Sequence, residues 1–338
     1  MKKKWLFLVL CLSCVMGTAC SNTNDKTEIE TVEIQILATS DIHGKMLPYD
    51  YGMDEESESG SLAQVSSAIK EFRTENTIVV DAGDLIQGNF MEIFTQDEIH
   101  PMVQAINLIG YDAWTAGNHE FNYGVQTLMD IKNQFNNTFL CGNAYDTEGE
   151  TVGDGYTIIE KSGVKVAVIG MVTPLITEWD KDNMMDYTVT DPVEETRKII
   201  DEINGKVDVI VAVEHMGENN EYNVKNTGAR DLADVCPEID VIVAAHEHKQ
   251  IPGTEENGVL IVENENGGQS LARVNLVLEK DGDGEYQIEE RTSESIEISD
   301  YEPDEMINSG QIQIDTLEDE LHDYEPNSVT VREEDILK

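Results

Sequence analysis

Residues 239–248 read IDVIVAAHEH, a nearly unbroken apolar run over 239–245 that ends abruptly in His246 and His248. A run this short, rich in Val and Ile and apolar on both faces, predicts a strand buried in a parallel sheet. The same form recurs along the chain. A predicted strand at 34–38 is followed by Asp41 and His43, one at 77–81 by Asp84, one at 113–116 by Asn118 and His119, and one at 207–213 by His215. Further strands are predicted at 138–141, 164–171 and 259–262. Amphipathic segments at 61–71, 101–109, 125–135, 193–203 and 227–235 separate several of them, and the segment at 101 carries Pro101 at its first position and stops at Gly110. Strands alternating with helices predict an α/β layered fold with helices covering sheets.

Beyond residue 278 the pattern changes. Residues 281–284 form a turn cluster, 285–298 read as a last polar strand region, 303–324 as one acidic helix and 325–338 as extended polar chain. No internal repeat is visible. The expected organisation is a signal over 1–20, a tether over 21–32, a catalytic domain over 33–298 and an acidic helical arm over 299–338.

Lys2, Lys3 and Lys4 precede an apolar run over 5–15 and then small residues, the form of a bacterial export signal. Cys20 after Gly17, Thr18 and Ala19 fits lipoprotein processing, with a lipid on Cys20 as the one expected membrane contact and plain cleavage as the alternative. The expected location is therefore extracytoplasmic. Acids outnumber bases 68 to 22, giving a formal charge of −46, which argues against nucleic-acid binding through a basic face. Outside the signal only Cys141 and Cys236 remain, too few for a disulfide framework or a zinc-thiolate site, and both read as small buried apolar residues.

Five of the seven histidines fall in the loops after predicted strands. The carboxyl ends of neighbouring strands share one rim, so residues two hundred positions apart can converge there. Each pair alone is an ordinary loop. Asp41, His43, Asp84, Asn118, His215, His246 and His248 together offer two carboxylates, one amide and four imidazoles, a donor mixture suited to Mn, Zn, Fe or Co rather than to Ca or Mg. Two divalent ions a few ångströms apart make a nucleophile of a shared water and neutralise charge on a phosphoryl group.

The blocks Asp41-Ile42-His43, Gly83-Asp84, Gly117-Asn118-His119-Glu120, His215 and His246-Glu247-His248 resemble, in this order, those of calcineurin-like metallophosphoesterases. The wording of 38–43, 84–88 and 117–124 is similar to the bacterial 5′-nucleotidase and 2′,3′-cyclic-nucleotide phosphodiesterase group, and the resemblance covers about residues 33–278. It implies an αββα sandwich of two mixed sheets flanked by helices. It also implies two divalent metal ions, one held by Asp41, His43, Asp84 and His248 and the other by Asp84, Asn118, His215 and His246. Asp84 would bridge them. His119 would face the phosphate and assist the leaving group after hydroxide attack on phosphorus. The implied substrate is a nucleotide or other small phosphoester.

Asn122 stands where many 5′-nucleotidases carry an Asp that orients the catalytic His, and it is similar to the cyclic-diester members. Ala245 replaces the usual Gly before the last His pair. Full members carry a carboxy-terminal domain that sandwiches the base between aromatic rings, and residue 338 falls where that domain would begin. Trp114 and Trp179 are candidates for base stacking or for packing, and His100 for helix entry. The rival reading is a non-catalytic metal- or ligand-binding surface lipoprotein. Oligomeric state stays open.

Overall fold

The computed structural model describes residues 31–57 and 59–308. The signal, the tether up to residue 30, Cys20 and most of the acidic arm lie outside the described residues. Among the described residues, no helix is long and apolar enough to cross a membrane.

Two six-stranded sheets form the body. In the first, strands run in the spatial order Tyr286–Glu297, Ser270–Lys280, Thr31–Thr39, Thr77–Asp81, Ala113–Thr115 and Thr138–Leu140. The last four are parallel and the first two antiparallel. In the second the order is Ile251–Glu256, Val259–Glu263, Val241–Ala244, Val209–His215, Val164–Val172 and Tyr156–Lys161, with four parallel strands between two antiparallel edges. Both sheets are mixed, as expected.

Side-chain alternation shows why the layers stack as they do. Ile34, Ile36 and Ala38 point into one cluster with Val166, Val168, Val211, Val213 and Val243 of the other sheet, so this layer lies between the sheets. Leu37 and Val79 point the other way, into the packing against helices Leu62–Phe72, Pro101–Ile109 and Val125–Lys132. Ala212, Ile242 and Ala244 likewise meet helices Pro192–Ile203 and Ala229–Val235. Three apolar layers therefore separate four structural ones, the αββα arrangement. The sheets approach closely at Gly170, where a Cβ would lie 2.4 Å from Leu140 Cβ. The carboxyl ends of both parallel sets meet at one rim, where His246 N–H reaches Asp41 and His215 reaches Asp84.

Helix starts follow local chemistry. Asp191 accepts from the backbone N–H groups of Val193 and Glu194, with Pro192 in the first turn. His100 caps its helix through the Met102 N–H, and Gly110 closes it at a φ of 81°. Trp114 is fully buried against Phe135 and Phe139, a packing residue. Cys141 and Cys236 are buried free thiols.

Some boundaries move and some strands are new. The strand expected at 207–213 runs Val209–His215, so His215 closes the strand instead of following it. The helix expected to reach 135 ends at Lys132. Strands Tyr156–Lys161 and Ile251–Glu256 were not expected, because as sheet edges they stay half exposed and carry too few apolar residues to stand out. Ser270–Lys280 was missed because it alternates, one face packed and the other wetter. Of the acidic helix only Glu305–Asn308 is described. It is tied down beside it, where Lys70 Nζ lies 2.5 Å from Asp304 and Gln64 donates to Tyr301 O at 2.9 Å.

Shortening Ile36 to Ala should cost about 2–5 kcal/mol, the range for a fully buried aliphatic side chain. Ile158→Ala, on an exposed edge strand, should stay within about 0.5 kcal/mol. Urea unfolding midpoints of the two variants beside the parent check this.

Candidate metal centre

All the residues singled out from strand ends reach one rim. Asp41, His43 and His248 offer one ligand atom each within 4.8 Å of one another, and Asp84, His215 and His246 do the same. Asp84 Oδ2 lies 3.2 Å from His215 Nε2 and 3.9 Å from His43 Nε2, so this carboxylate stands between the two groups. Asn118 Oδ1 joins the second group 3.1 Å from His215 Nε2. Asp41, Asp84 and His215 form a buried floor, while His43, His246 and His248 line the mouth.

The backbone delivers these side chains by unusual conformations. Asp41, His43, Asp84, His246 and His248 all have positive φ, between 50° and 74°. Such residues cost about 1–3 kcal/mol each and persist only where their surroundings over-determine them. Here the loops are laced together: Asp41 N–H donates to Gly83 O at 2.8 Å, His43 N–H to Asp84 O at 2.9 Å and Gly44 N–H to Leu85 O at 3.0 Å. His246 N–H donates to the Asp41 carboxylate at 3.1 and 3.2 Å, which ties the two sheets' loops together. Gly117 is required by contact alone, since a Cβ there would lie 2.2 Å from Asp84 Oδ1 and 2.8 Å from His215 Cε1. Ala245 is accommodated because the left-handed turn falls on His246.

Glu120 holds this together, a role that its place in the sequence block did not reveal. Its fully buried carboxylate accepts four backbone N–H groups, from Asp84 at 2.8 Å, Leu85 at 2.8 Å, Ile86 at 3.2 Å and Gly117 at 2.6 Å. The Asp84 loop and the Asn118 loop thereby become one rigid piece.

The donor set fits two divalent cations. Nε2 atoms of His43 and His248 face each other at 3.2 Å beside two buried carboxylates, a crowd of lone pairs with few donors of its own. His215 Nδ1 is 2.7 Å from Ala82 O and His43 Nδ1 3.1 Å from Gln87 Oε1, contacts that leave each Nε2 free for an ion. Burial lowers His43, His246 and His248, His246 to about 4, so these imidazoles are neutral and ready to ligate near neutral pH. Burial would also lower His215, but Asp84 and Asp41 outweigh it and push it up to about 10. A bound cation has to displace that proton. Burial pushes Asp41 up to about 7, whereas Asp84, against burial, is held below the usual carboxylate range by His215 and then by His119 and His43.

His119 lies at the mouth, its ring 5.4 Å from that of His43, and its backbone N–H donates to Asp84 Oδ1 at 2.8 Å. Its Nδ1 is 2.7 Å from Asn122 Oδ1, and Asn122 Nδ2 donates to Asp180 Oδ2 at 3.2 Å. A carboxylate only accepts, so Asp180 fixes the amide with its oxygen towards His119, and the imidazole then carries its proton on Nδ1. Asn183 steadies the arrangement, donating to Asp180 Oδ1 and to Asn122 O, each at 2.9 Å. Nothing in the sequence marked Asp180 or Asn183. Glu221, also unmarked, is buried with Oε1 3.6 Å from His246 Nε2.

Comparison with known proteins agrees with this geometry. A family model described as "Calcineurin-like phosphoesterase" matches residues 34–250. The "Trifunctional nucleotide phosphoesterase protein YfkN" of Bacillus subtilis is 34% identical over 297 residues, covering 76% of this chain and 20% of its own. A "2′,3′-cyclic-nucleotide 2′-phosphodiesterase/3′-nucleotidase" of Salmonella typhimurium is 30% identical over 305 residues, covering 80% of this chain and 47% of its own. The crystal structure of calcineurin-like phosphoesterase YfkN from Bacillus subtilis superposes with a TM-score of 0.79 at 30% identity, covering 86% of this chain and 99% of that one. The chain thus spans between a fifth and a half of the two curated relatives it matches.

Glu120→Gln would turn a donor towards N–H groups that already donate. Unfolding should become easier by roughly 3 kcal/mol, the scale of a lost charged hydrogen bond plus an unmet donor. Bound Mn²⁺, counted after dialysis, should fall below that of the parent.

Proposed function

Because this chain belongs to the calcineurin-like phosphoesterase family, we propose that it hydrolyses nucleotide phosphoesters outside the cytoplasm, 2′,3′-cyclic diesters foremost and 5′-monoesters next. The observation that carries the reading is one buried carboxylate, Asp84, standing between two groups of metal-ligating atoms with His119 poised at the mouth. Asp41, His43 and His248 with Asp84 would hold one divalent cation. Asn118, His215 and His246 with Asp84 would hold the other. When bound, such a pair supplies Lewis acidity at phosphorus and an activated water.

The chain's own residues supply the remainder. With its Nδ1 proton fixed by Asn122, His119 turns Nε2 to the substrate and, when protonated, hydrogen-bonds and protonates the departing ribose oxygen. Asp180 keeps Asn122 from turning over, and so positions His119 through it. The amide orients His119 without the full charge of a direct carboxylate partner, which suits a cyclic diester and supports placing that substrate first. Burial of Asp41, Asp84 and His215 excludes water from the floor and strengthens every charge interaction there.

In domain terms we assign catalysis to 33–298, and 299–338 to an acidic helical arm. The export-type signal over 1–20 supports the location, with Cys20 as the lipid site.

Two outcomes are expected in assays of 2′,3′-cyclic AMP and AMP with added Mn²⁺. Chelator should abolish both activities, and Asp84→Ala should lower kcat/KM by more than about a hundredfold, beyond the range for losing a metal's outer-shell partner. Binding of either substrate without Asp84-dependent turnover would sink the catalytic reading.

Asp180→Ala should lower kcat for the cyclic substrate about tenfold with little change in KM, a part of what a positioned acid contributes. Steady-state kinetics check the split. An equal change in KM would mean that Asp180 helps bind the substrate instead.

A further inference from the structure

Two large aromatic rings stand exposed beside the metal-facing imidazoles, in a protein whose aromatic content is only 6%. Trp179 closes the short helix Ile176–Trp179 and stacks on His246, with ring centroids 5.3 Å apart and planes within 14°. One indole face is covered by that stack, yet the residue remains 42% exposed. Tyr222 is 79% exposed, its ring 6.3 Å from that of Trp179 in an edge arrangement. Core packing explains neither ring.

Both rings are held in place from below. Tyr222 sits in a left-handed conformation, φ 49° and ψ 26°, which a bulky residue adopts only under constraint. The constraint is its neighbour Glu221, buried, with Oε2 accepting from Thr173 Oγ1 at 2.8 Å and its N–H donating to Thr227 Oγ1 at 2.9 Å. Thr173 opens the loop that carries Trp179. One hydrogen bond therefore ties together the two loops that bear the aromatic pair. The same short helix is followed at once by Asp180, which holds Asn122 against His119, so the segment that bears Trp179 also supports His119.

We infer that Trp179 and Tyr222 form a stacking platform for the nucleobase of the substrate, so that base recognition is built into this domain. The inference rests on the phosphoesterase reading above. His246, the imidazole on which Trp179 stacks, belongs to one of the two ligand groups, so a nucleotide whose phosphate lies over them has the platform beside it. Stacking uses the π-face that every base presents, so the platform selects nucleotides over other phosphoesters without selecting among bases. Glu178 and Asp180 flank Trp179 in the chain and Glu221 precedes Tyr222, acids that favour a neutral base over an additional phosphate.

The full chain is tested with AMP and with ribose 5-phosphate, which lacks only the base. In the parent, kcat/KM should favour AMP. Trp179→Ala and Tyr222→Ala should each lower the AMP to ribose 5-phosphate ratio roughly 5- to 50-fold, and Trp179→Phe should keep most of it. Using the ratio cancels any general loss from disturbing His246. An unchanged ratio in both alanine variants overturns the platform. If neither compound is turned over, the phosphoesterase reading fails only when 2′,3′-cyclic AMP is inert as well, and in either case calorimetric affinities for the same pair decide. Tighter AMP binding that Trp179→Ala abolishes supports the platform; equal affinities in the parent overturn it.

Discussion

Four backbone N–H groups from two loops converge on the Glu120 carboxylate, and the geometry of the rim depends on that convergence. Loops at strand ends have no ladder to hold them, and an unpaired buried N–H would cost more than the net value of a hydrogen bond. One charged acceptor satisfies all four at once. It thereby fixes where Asp84 and Asn118 start, before any cation contributes. The pairing of Gly83 with Gly117 follows from the same closeness, since a Cβ on Gly83 would lie 2.4 Å from Gly117 N.

This local order is bought against strain, and the body of the protein bears it. Five residues that offer ligands hold left-handed conformations, each unfavourable alone. They are stable because three apolar layers fix the strands, so that the loops have little freedom left. Strands such as Thr31–Thr39 divide their side chains between the inter-sheet layer and a helix layer, and their carboxyl ends can only emerge at the common rim. Strain and packing are thus the same arrangement seen from the two ends of a strand.

What could be read from residue order was whatever depends on periodicity and residue type. Buried parallel strands are continuous apolar runs, so Val209–His215 and Val241–Ala244 were visible nearly to their ends. Asp, His and Asn at those ends carried the metal chemistry. The edge strands Tyr156–Lys161 and Ile251–Glu256 were not visible, because half-exposed positions accept almost any side chain. Glu120 was seen as part of a block without a role, since a sequence does not count the N–H groups a carboxylate will meet. Asp180 is one acid among 68 acidic residues, distinguished only by the Asn122 amide that the fold places against it. Trp179 was legible as a residue type, whereas its choice between packing and display was set by a loop that depends on Thr173 and Glu221.

The charge of the chain bears on how a substrate can be held at all. A formal charge of −46 repels any phosphate at long range, and at physiological salt that field decays over about 8 Å. Binding therefore has to be made of short-range terms. At the floor, two divalent cations would carry four positive charges against Asp41 and Asp84, leaving a local excess that favours an anion only once it has arrived. At the rim, stacking on Trp179 and Tyr222 acts on an uncharged part of the substrate, where neither the far field nor salt weakens it. A molecule that carries both a phosphate and a flat base gains from both terms, and one that carries only the phosphate must cross the same repulsion with less to offset it.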